Sequence, residues 1–360
     1  MRIFLFACGS PTVAPDASHA VVTAWHYHSD HMLGDNLAHR WRKLGHEVCN
    51  YPDERYVGTK IAEYFDAVFL YHLVRGTEWD RLCPDWPYGR KPAMCWLHSC
   101  PSTEVEHAWR PTENIMRKFD YLPTLHSLIK EDFAKRAPYG HLFVLPWPSF
   151  SMWEWPPTQP NPYAGEKPVI LFCGCLRRHT LDLLNKLVEF LPECELHVIS
   201  CNIYDPALQG ELERTPSDMI PLSDLPPSVV YHQPMINGTF SQFFWYADIG
   251  LDVAAAANQR SANTKVMDYL AAGLPVVACG RAPGMEVVED LGRLKVAEFG
   301  NAKQAADMIR ETLAAGRQEP LRQLSRDHVR AHHSSNIVAD TIIGLFENYS
   351  GSAATLSPIE

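Results

Sequence analysis

Residues 261–280 run Ser261-Ala-Asn-Thr-Lys265-Val-Met-Asp268-Tyr-Leu-Ala-Ala-Gly273-Leu-Pro-Val-Val-Ala-Cys-Gly280. A Ser/Asn/Thr-rich loop leads into helical spacing from Lys265 to Ala272, Gly273 supplies the stop, and Pro275-Val-Val-Ala278 restarts as a buried strand. Free N–H groups and the positive dipole end of such a helix receive an anion. Lys265 in the first turn suits a charge-assisted contact to phosphate. Asp268, three residues on and on the same face, suits hydrogen bonds to ribose hydroxyls. Spacing alone fits equally a capped amphipathic helix with a solvated Lys–Asp pair.

Outward from this segment the chain alternates strands and helices. Behind it, Val169–Cys173, Leu196–Ile199, Val229–Tyr231 and Ile249–Val253 are apolar runs of strand length, with helical spacing at Leu181–Phe190 and Phe240–Tyr246. Ahead of it, helical spacing returns at Ala302–Ala315 and Asn336–Asn348. The first half has the same grammar. Strands are expected at Arg2–Ala7, His46–Cys49, Asp66–Tyr71, Ala93–Leu97, Phe119–Thr124 and Leu142–Leu145. Leu33, Leu37, Trp41 and Leu44 mark a helix that Gly45 closes. Strand–helix–strand units imply parallel sheets. Residues 146–163 carry six prolines and three tryptophans, which forbids continued helix or central strand.

The expected organisation is therefore α/β. It has a first Rossmann-like domain at 1–150, a Pro/Trp-rich linker at 151–166 and a second Rossmann-like domain at 167–335. A C-terminal helix and tail at 336–360 are placed to return to the first domain. The two sheets would face across a central cleft, with ligand at the strand C-termini.

Composition narrows the function classes. The chain has 360 residues, 46% of them hydrophobic, enough for two cores without disulfide or metal staples. A net charge of −10 gives no overall basic footprint for duplex nucleic acid or anionic membrane. No apolar stretch approaches the ~20 residues of a membrane span, and Met1–Cys8 is too short for a signal-peptide core. Ten cysteines without regular spacing read as reduced and mostly buried, including Cys173 and Cys175, so a cytoplasmic location is expected. Trp147, Trp153 and Trp155 suit either a packed linker or stacking on a sugar or base. Gly9 suits either a plain turn or close approach of a phosphate.

The run from Asp268 to Ala278 resembles the signature of GT-B glycosyltransferases of the family 4 type, in which Lys, two residues and Glu precede an apolar Ala-x-Gly-x-Pro-Val-Val segment. Val229–Met235 with Phe244–Asp252 is similar to the strand and helix that precede it, and Ile170–Arg178 to the strand and glycine loop that open the donor domain. The resemblance implies that Lys265 and Arg177 or Arg178 neutralise the diphosphate of a nucleotide sugar, UDP- or GDP-linked. It sets Asp268 at the ribose, where the family usually has Glu. Arg260 stands where the family has its other glutamate. The leaving group is a nucleoside diphosphate, so cationic stabilisation of its charge is the largest available term, and no metal or other cofactor is required. His98, at the end of an apolar run, resembles the acceptor-domain histidine that faces the donor sugar. The implied activity is hexosyl transfer, of retaining type, to a hydroxyl acceptor such as a glycan, a lipid-linked sugar or a small molecule. A hydroxylated base in modified DNA is a variant of the same chemistry, and the one way nucleic acid would enter.

His26-Tyr-His28-Ser-Asp30-His31 competes with that assignment. It spells HxHxDH, the metal-binding signature of metallo-β-lactamase-type hydrolases, in which imidazoles and a carboxylate hold zinc and generate hydroxide. His72 and His98 are then the later ligands, within a four-layer fold. In the GT-B alternative the same residues form the loop after the first strand. There His26, His28 and His31 become acceptor contacts, and Asp30 a base if the reaction inverts. A GT-B-shaped epimerase or binding-only relative is a third possibility, separated by donor turnover without acceptor.

Overall fold

The computed structural model describes residues 1–6, 29–50, 60–71, 79, 82–97, 116–136, 141–146, 148–149, 156–174, 176, 178–200, 203–204, 220–232, 241–253, 265–282 and 285–351. Two six-stranded sheets organise them.

The first contains β1 (Arg2–Phe6), β2 (Glu47–Asn50), β3 (Ala67–Tyr71), β4 (Ala93–Trp96), β5 (Tyr121–Thr124) and β6 (His141–Val144). Their order is β2-β1-β3-β4-β5-β6, and every pairing is parallel. β3 and β4 are buried along their whole length. That is why they read as unbroken apolar runs rather than alternating ones.

The second sheet contains β7 (Val169–Cys173), β8 (Glu195–Ile199), β11 (Val229–His232), β12 (Ile249–Asp252), β13 (Val276–Cys279) and β14 (Leu294–Ala297). Two-residue strands β9 (Ile203–Tyr204) and β10 (Ile220–Pro221) pair separately. The order β11-β8-β7-β12-β13-β14, again all parallel, is the doubly wound 3-2-1-4-5-6 arrangement. Its direction of winding reverses between β7 and β12, which opens a crevice at their C-terminal ends.

The helices are α1 (Ser29–Lys43), α2 (Ile61–Tyr64), α3 (Ser127–Arg136), α4 (Arg178–Phe190), α5 (Ser241–Tyr246), α6 (Lys265–Ala271), α7 (Ala302–Ala314), α8 (Glu319–His332) and α9 (Ser335–Glu347). α1 buries Leu33, Leu37 and Trp41, while Leu44 lies beyond its end and is exposed. α9 follows the whole second sheet in sequence yet packs on α1, burying Val338, Ala339, Ile342 and Phe346. Trp41 Nε1 donates to the Ala339 carbonyl at 2.9 Å, and the Arg40 guanidinium grips Asp340 with two bonds of 2.7 Å. The two crossings between the sheets also touch: Ser149 N donates to His333 O at 2.7 Å, and Ser335 N to Ser149 O at 3.0 Å.

α8 is absent from the sequence expectation. Its buried face is Arg322, Ser325, Arg326 and Val329, so apolar periodicity passes over it. Among the described residues no helix is long and apolar enough to cross a membrane. The six described cysteines, at 49, 83, 95, 173, 194 and 279, are free thiols.

Candidate functional site

The crevice between β7 and β12 brings together residues that are far apart in the chain. Gly174, directly after β7, has a φ of 149°, a conformation that side chains avoid. A Cβ there would overlap Cε and Nζ of Lys265. The Lys265 side chain therefore lies against bare backbone at the mouth of β7, with its ammonium 5.2 Å from the centre of the Phe172 ring. Glycine at 174 is what lets the first residue of α6 reach the end of β7.

Tyr269, one turn along α6 from Lys265, sets that position. Its hydroxyl accepts from Cys173 N at 2.8 Å and donates to Leu251 O at 3.1 Å, bridging the C-terminal ends of the two strands that flank the crevice. The ring lies flat against β12, where a Cβ on Gly250 would overlap it, and stacks on Phe244 at 5.2 Å. Burial pushes the Tyr269 hydroxyl well above its ordinary pKa, and nearby Cys173, Asp252 and Asp268 add to the effect. It stays neutral and acts as a strut.

Two carboxylates flank this strut. Asp268 is buried on α6, and Asp252 is fully buried as the last residue of β12. Burial, with a contribution from Asp252, pushes the Cys279 thiol up to about 12, so this cysteine is no nucleophile. Among the described residues the crevice thus offers Lys265 as a cation at its mouth, with the carboxylates Asp252 and Asp268 flanking the strut. That set suits a ligand combining a phosphate with hydroxyl donors.

The sequence singled out Lys265 and Asp268, which the fold brings to the crevice. Arg178 is the first residue of α4, five positions after the end of β7. Asp30 and His31 fall in the first turn of α1. His26, His28, His72, His98, Arg177, Arg260, Gly9, Cys175 and the three linker tryptophans lie outside the described residues. Sequence reasoning missed Asp252 and Tyr269 as site residues. The signal for Asp252 is a carboxylate closing the apolar run Ile249-Gly-Leu-Asp252. Tyr269 reads as one more apolar residue until its hydroxyl partners are seen.

No protein-family model matches the sequence, and no curated protein matches it. Solved structures do match in shape over nearly the whole chain. Sucrose-phosphate synthase from Thermosynechococcus elongatus superposes with a TM-score of 0.68 at 13% identity, over 96% of this chain and 98% of that one. A glycosyltransferase from Rickettsia africae gives 0.62 at 12% identity over 97% and 98% of the two chains. Anabaena HepE in complex with UDP-glucose gives 0.62 at 13% identity over 96% and 99%. Two parallel six-stranded sheets are not the four-layer arrangement in which the HxHxDH hydrolase motif resides. The chain has the GT-B fold, with two α/β domains.

Proposed function

We propose that the protein is a glycosyltransferase that moves a hexosyl group from a nucleoside-diphosphate sugar to a hydroxyl acceptor. The observation that carries this reading is the seat of Lys265 on Gly174 at the switch point of the second sheet, where doubly wound folds bind nucleotides. In it, Lys265 takes the diphosphate, joined by Arg177 or Arg178, and Asp268 takes the ribose hydroxyls. As the bond to the sugar breaks, negative charge grows on the leaving diphosphate. A fixed cation stabilises that charge more than it stabilises the bound donor, which lowers the barrier. His98 and Asp30 serve at the sugar and the acceptor hydroxyl, and His26, His28 and His31 line the acceptor side.

The resemblance of residues 265–278 to the family 4 signature supports a retaining outcome without a metal cofactor. HepE carries UDP-glucose in its solved complex, which makes UDP-glucose the first donor to test, with GDP-mannose second. A reducing, cytoplasmic setting suits six free thiols. Calorimetric titration of the full chain with each nucleotide sugar is the test. Binding by one nucleotide family, weakened about tenfold or more in Lys265→Ala and in Asp268→Ala while both variants stay folded, supports the reading. Unchanged affinity in both variants overturns it.

A further inference from the structure

The opposite end of the second sheet holds a different cavity. Pro168, Asp248, Pro275 and Arg293 are the residues immediately before β7, β12, β13 and β14, and all four line a cavity of about 360 Å³. Strands of this length set it about 15 Å from the crevice at Lys265, at about 3.3 Å per residue. Lys167, Arg293, Arg317 and Arg322 supply cations to its wall, against two carboxylates, Glu166 and Asp248.

Each cation has a definite state. Arg317 donates to Asp248 Oδ1 at 2.6 Å and to Tyr246 O at 2.7 Å. Arg322 donates to Ala247 O at 3.3 Å and Trp245 O at 2.8 Å, with Glu319 3.7 Å from its Nε. Lys167 is exposed and turns its Nζ to Pro192 O, at 2.9 Å, in the wall of a neighbouring cavity. Arg293 reaches Gly273 O at 3.3 Å through Nη2, while its buried Nε has no hydrogen-bond partner among the described residues.

The cluster is electrostatically uncomfortable as it stands. Burial pulls the Arg322 guanidinium down to about 10, and Arg317, Arg326 and Arg293 push it the same way, against Glu319 alone. Burial also lowers Arg293, with no carboxylate opposing. Like charges gathered on a concave, partly desolvated wall are relieved by an anion. Arginine forks fit a tetrahedral oxyanion better than a spherical one. The volume exceeds what a bare phosphate needs and lies at the small end of ligand pockets, and the half-buried Tyr246 in the wall adds aromatic surface for a small organic body.

We propose that this cavity is a second ligand site, separate from the donor crevice, that binds a phosphate group, either free or carried by a small monoester. Arg293 is the primary contact, with the Arg317 and Arg322 guanidinium groups beside it in the wall.

The test is calorimetric titration of the full chain with inorganic phosphate and with glucose 6-phosphate, against sodium chloride at matched ionic strength. The expected result is saturable binding in the wild type, unchanged in Lys265→Ala and weakened about tenfold in Arg293→Met. Arg317→Ala removes a half-exposed side chain from the same wall and decides the matter if Arg293→Met fails to fold; it is expected to weaken binding about threefold. Tighter binding of glucose 6-phosphate than of phosphate identifies an ester as the ligand, and equal binding identifies free phosphate; both support the site. Heat that sodium chloride reproduces, affinity that survives both pocket variants, or affinity lost in Lys265→Ala overturns it. Loss of nucleotide-sugar binding in Lys265→Ala is a separate readout, so the two sites succeed or fail independently.

Discussion

Helices α6 and α8 pack against each other on the second sheet and bury opposite chemistry. α6 turns Val266, Met267, Tyr269, Leu270 and Ala271 inward, the pattern expected of a helix under a sheet. α8 turns Arg322, Ser325 and Arg326 inward and leaves Leu321 and Leu324 exposed at 38% and 53%. The inversion works because two helices end beneath α8, each with carbonyls that have no further turn to receive. Arg322 bonds the carbonyls of Trp245 and Ala247 at the end of α5. Ser325 Oγ bonds Leu270 O at 3.0 Å, and Arg326 reaches Ala272 O at 3.4 Å at the end of α6. Arg326 also lies 4.6 Å over the Trp245 ring and pairs with Glu319. A buried face need not be apolar where the groups it meets are unsatisfied acceptors. Arginine, with five donors in a planar fork, is the side chain that answers several at once.

The comparison breaks most visibly at the apolar contact under α6. Gly250→Val places a branched side chain inside the Tyr269 ring, and overpacking of this kind is expected to cost about 3 kcal/mol or more. Urea unfolding of the variant should show the loss, and a midpoint within error of wild type would mean that α6 does not depend on that contact. On the α8 side, Arg322→Ala strips donors from two buried carbonyls and is expected to cost about 2–3 kcal/mol. A cost under about 0.5 kcal/mol, the range of ordinary surface changes, would show that the inward arginines are incidental. Tyr269→Phe is milder, at about 1–2 kcal/mol, because the ring stays and only the hydroxyl bridge between Cys173 N and Leu251 O goes. It should also weaken nucleotide-sugar binding, since Gly174 follows directly on Cys173. Affinity untouched alongside the stability loss would separate the strut from the site.

The same contrast explains how much was legible in the sequence. Helix α6 and strand β13 could be read because their burial is apolar and their ends carry Lys265 and Gly273, the latter at a φ of 81°. A Cβ on Gly273 would stand 2.6 Å from Arg326 Nη1 and 3.0 Å from Arg322 O. The stop signal visible in sequence therefore also records the passage of a helix that sequence did not show. Helix α8 was illegible for that reason: its partners are carbonyls, and a carbonyl leaves no trace in a hydropathy pattern. The site divides in the same way. Lys265 and Asp268 stand out by residue type and spacing. Asp252 and Tyr269 matter through strands β7 and β12, which are adjacent only because the sheet winds 3-2-1-4-5-6. The basic cavity at the sheet's other end draws on residues from 161 to 322, and no local window contains it.

The smallest expected effect is the sharpest check on the inversion. Leu321 and Leu324 are the residues that a hydropathy reading of α8 would put in the core, yet both face solvent. Leu321→Gln and Leu324→Gln, made singly, preserve helix propensity closely and remove only exposed apolar surface. Each is expected to change stability by less than about 0.5 kcal/mol. Set beside Arg322→Ala on the same helix, this reverses the usual ranking, in which a buried-looking leucine matters and an arginine does not. A loss above about 1 kcal/mol for Leu324→Gln would mean that this face is covered in solution and that α8 buries leucine after all. Loss at Arg322 with none at Leu324 would locate the helix's stabilisation in its bonds to the ends of α5 and α6.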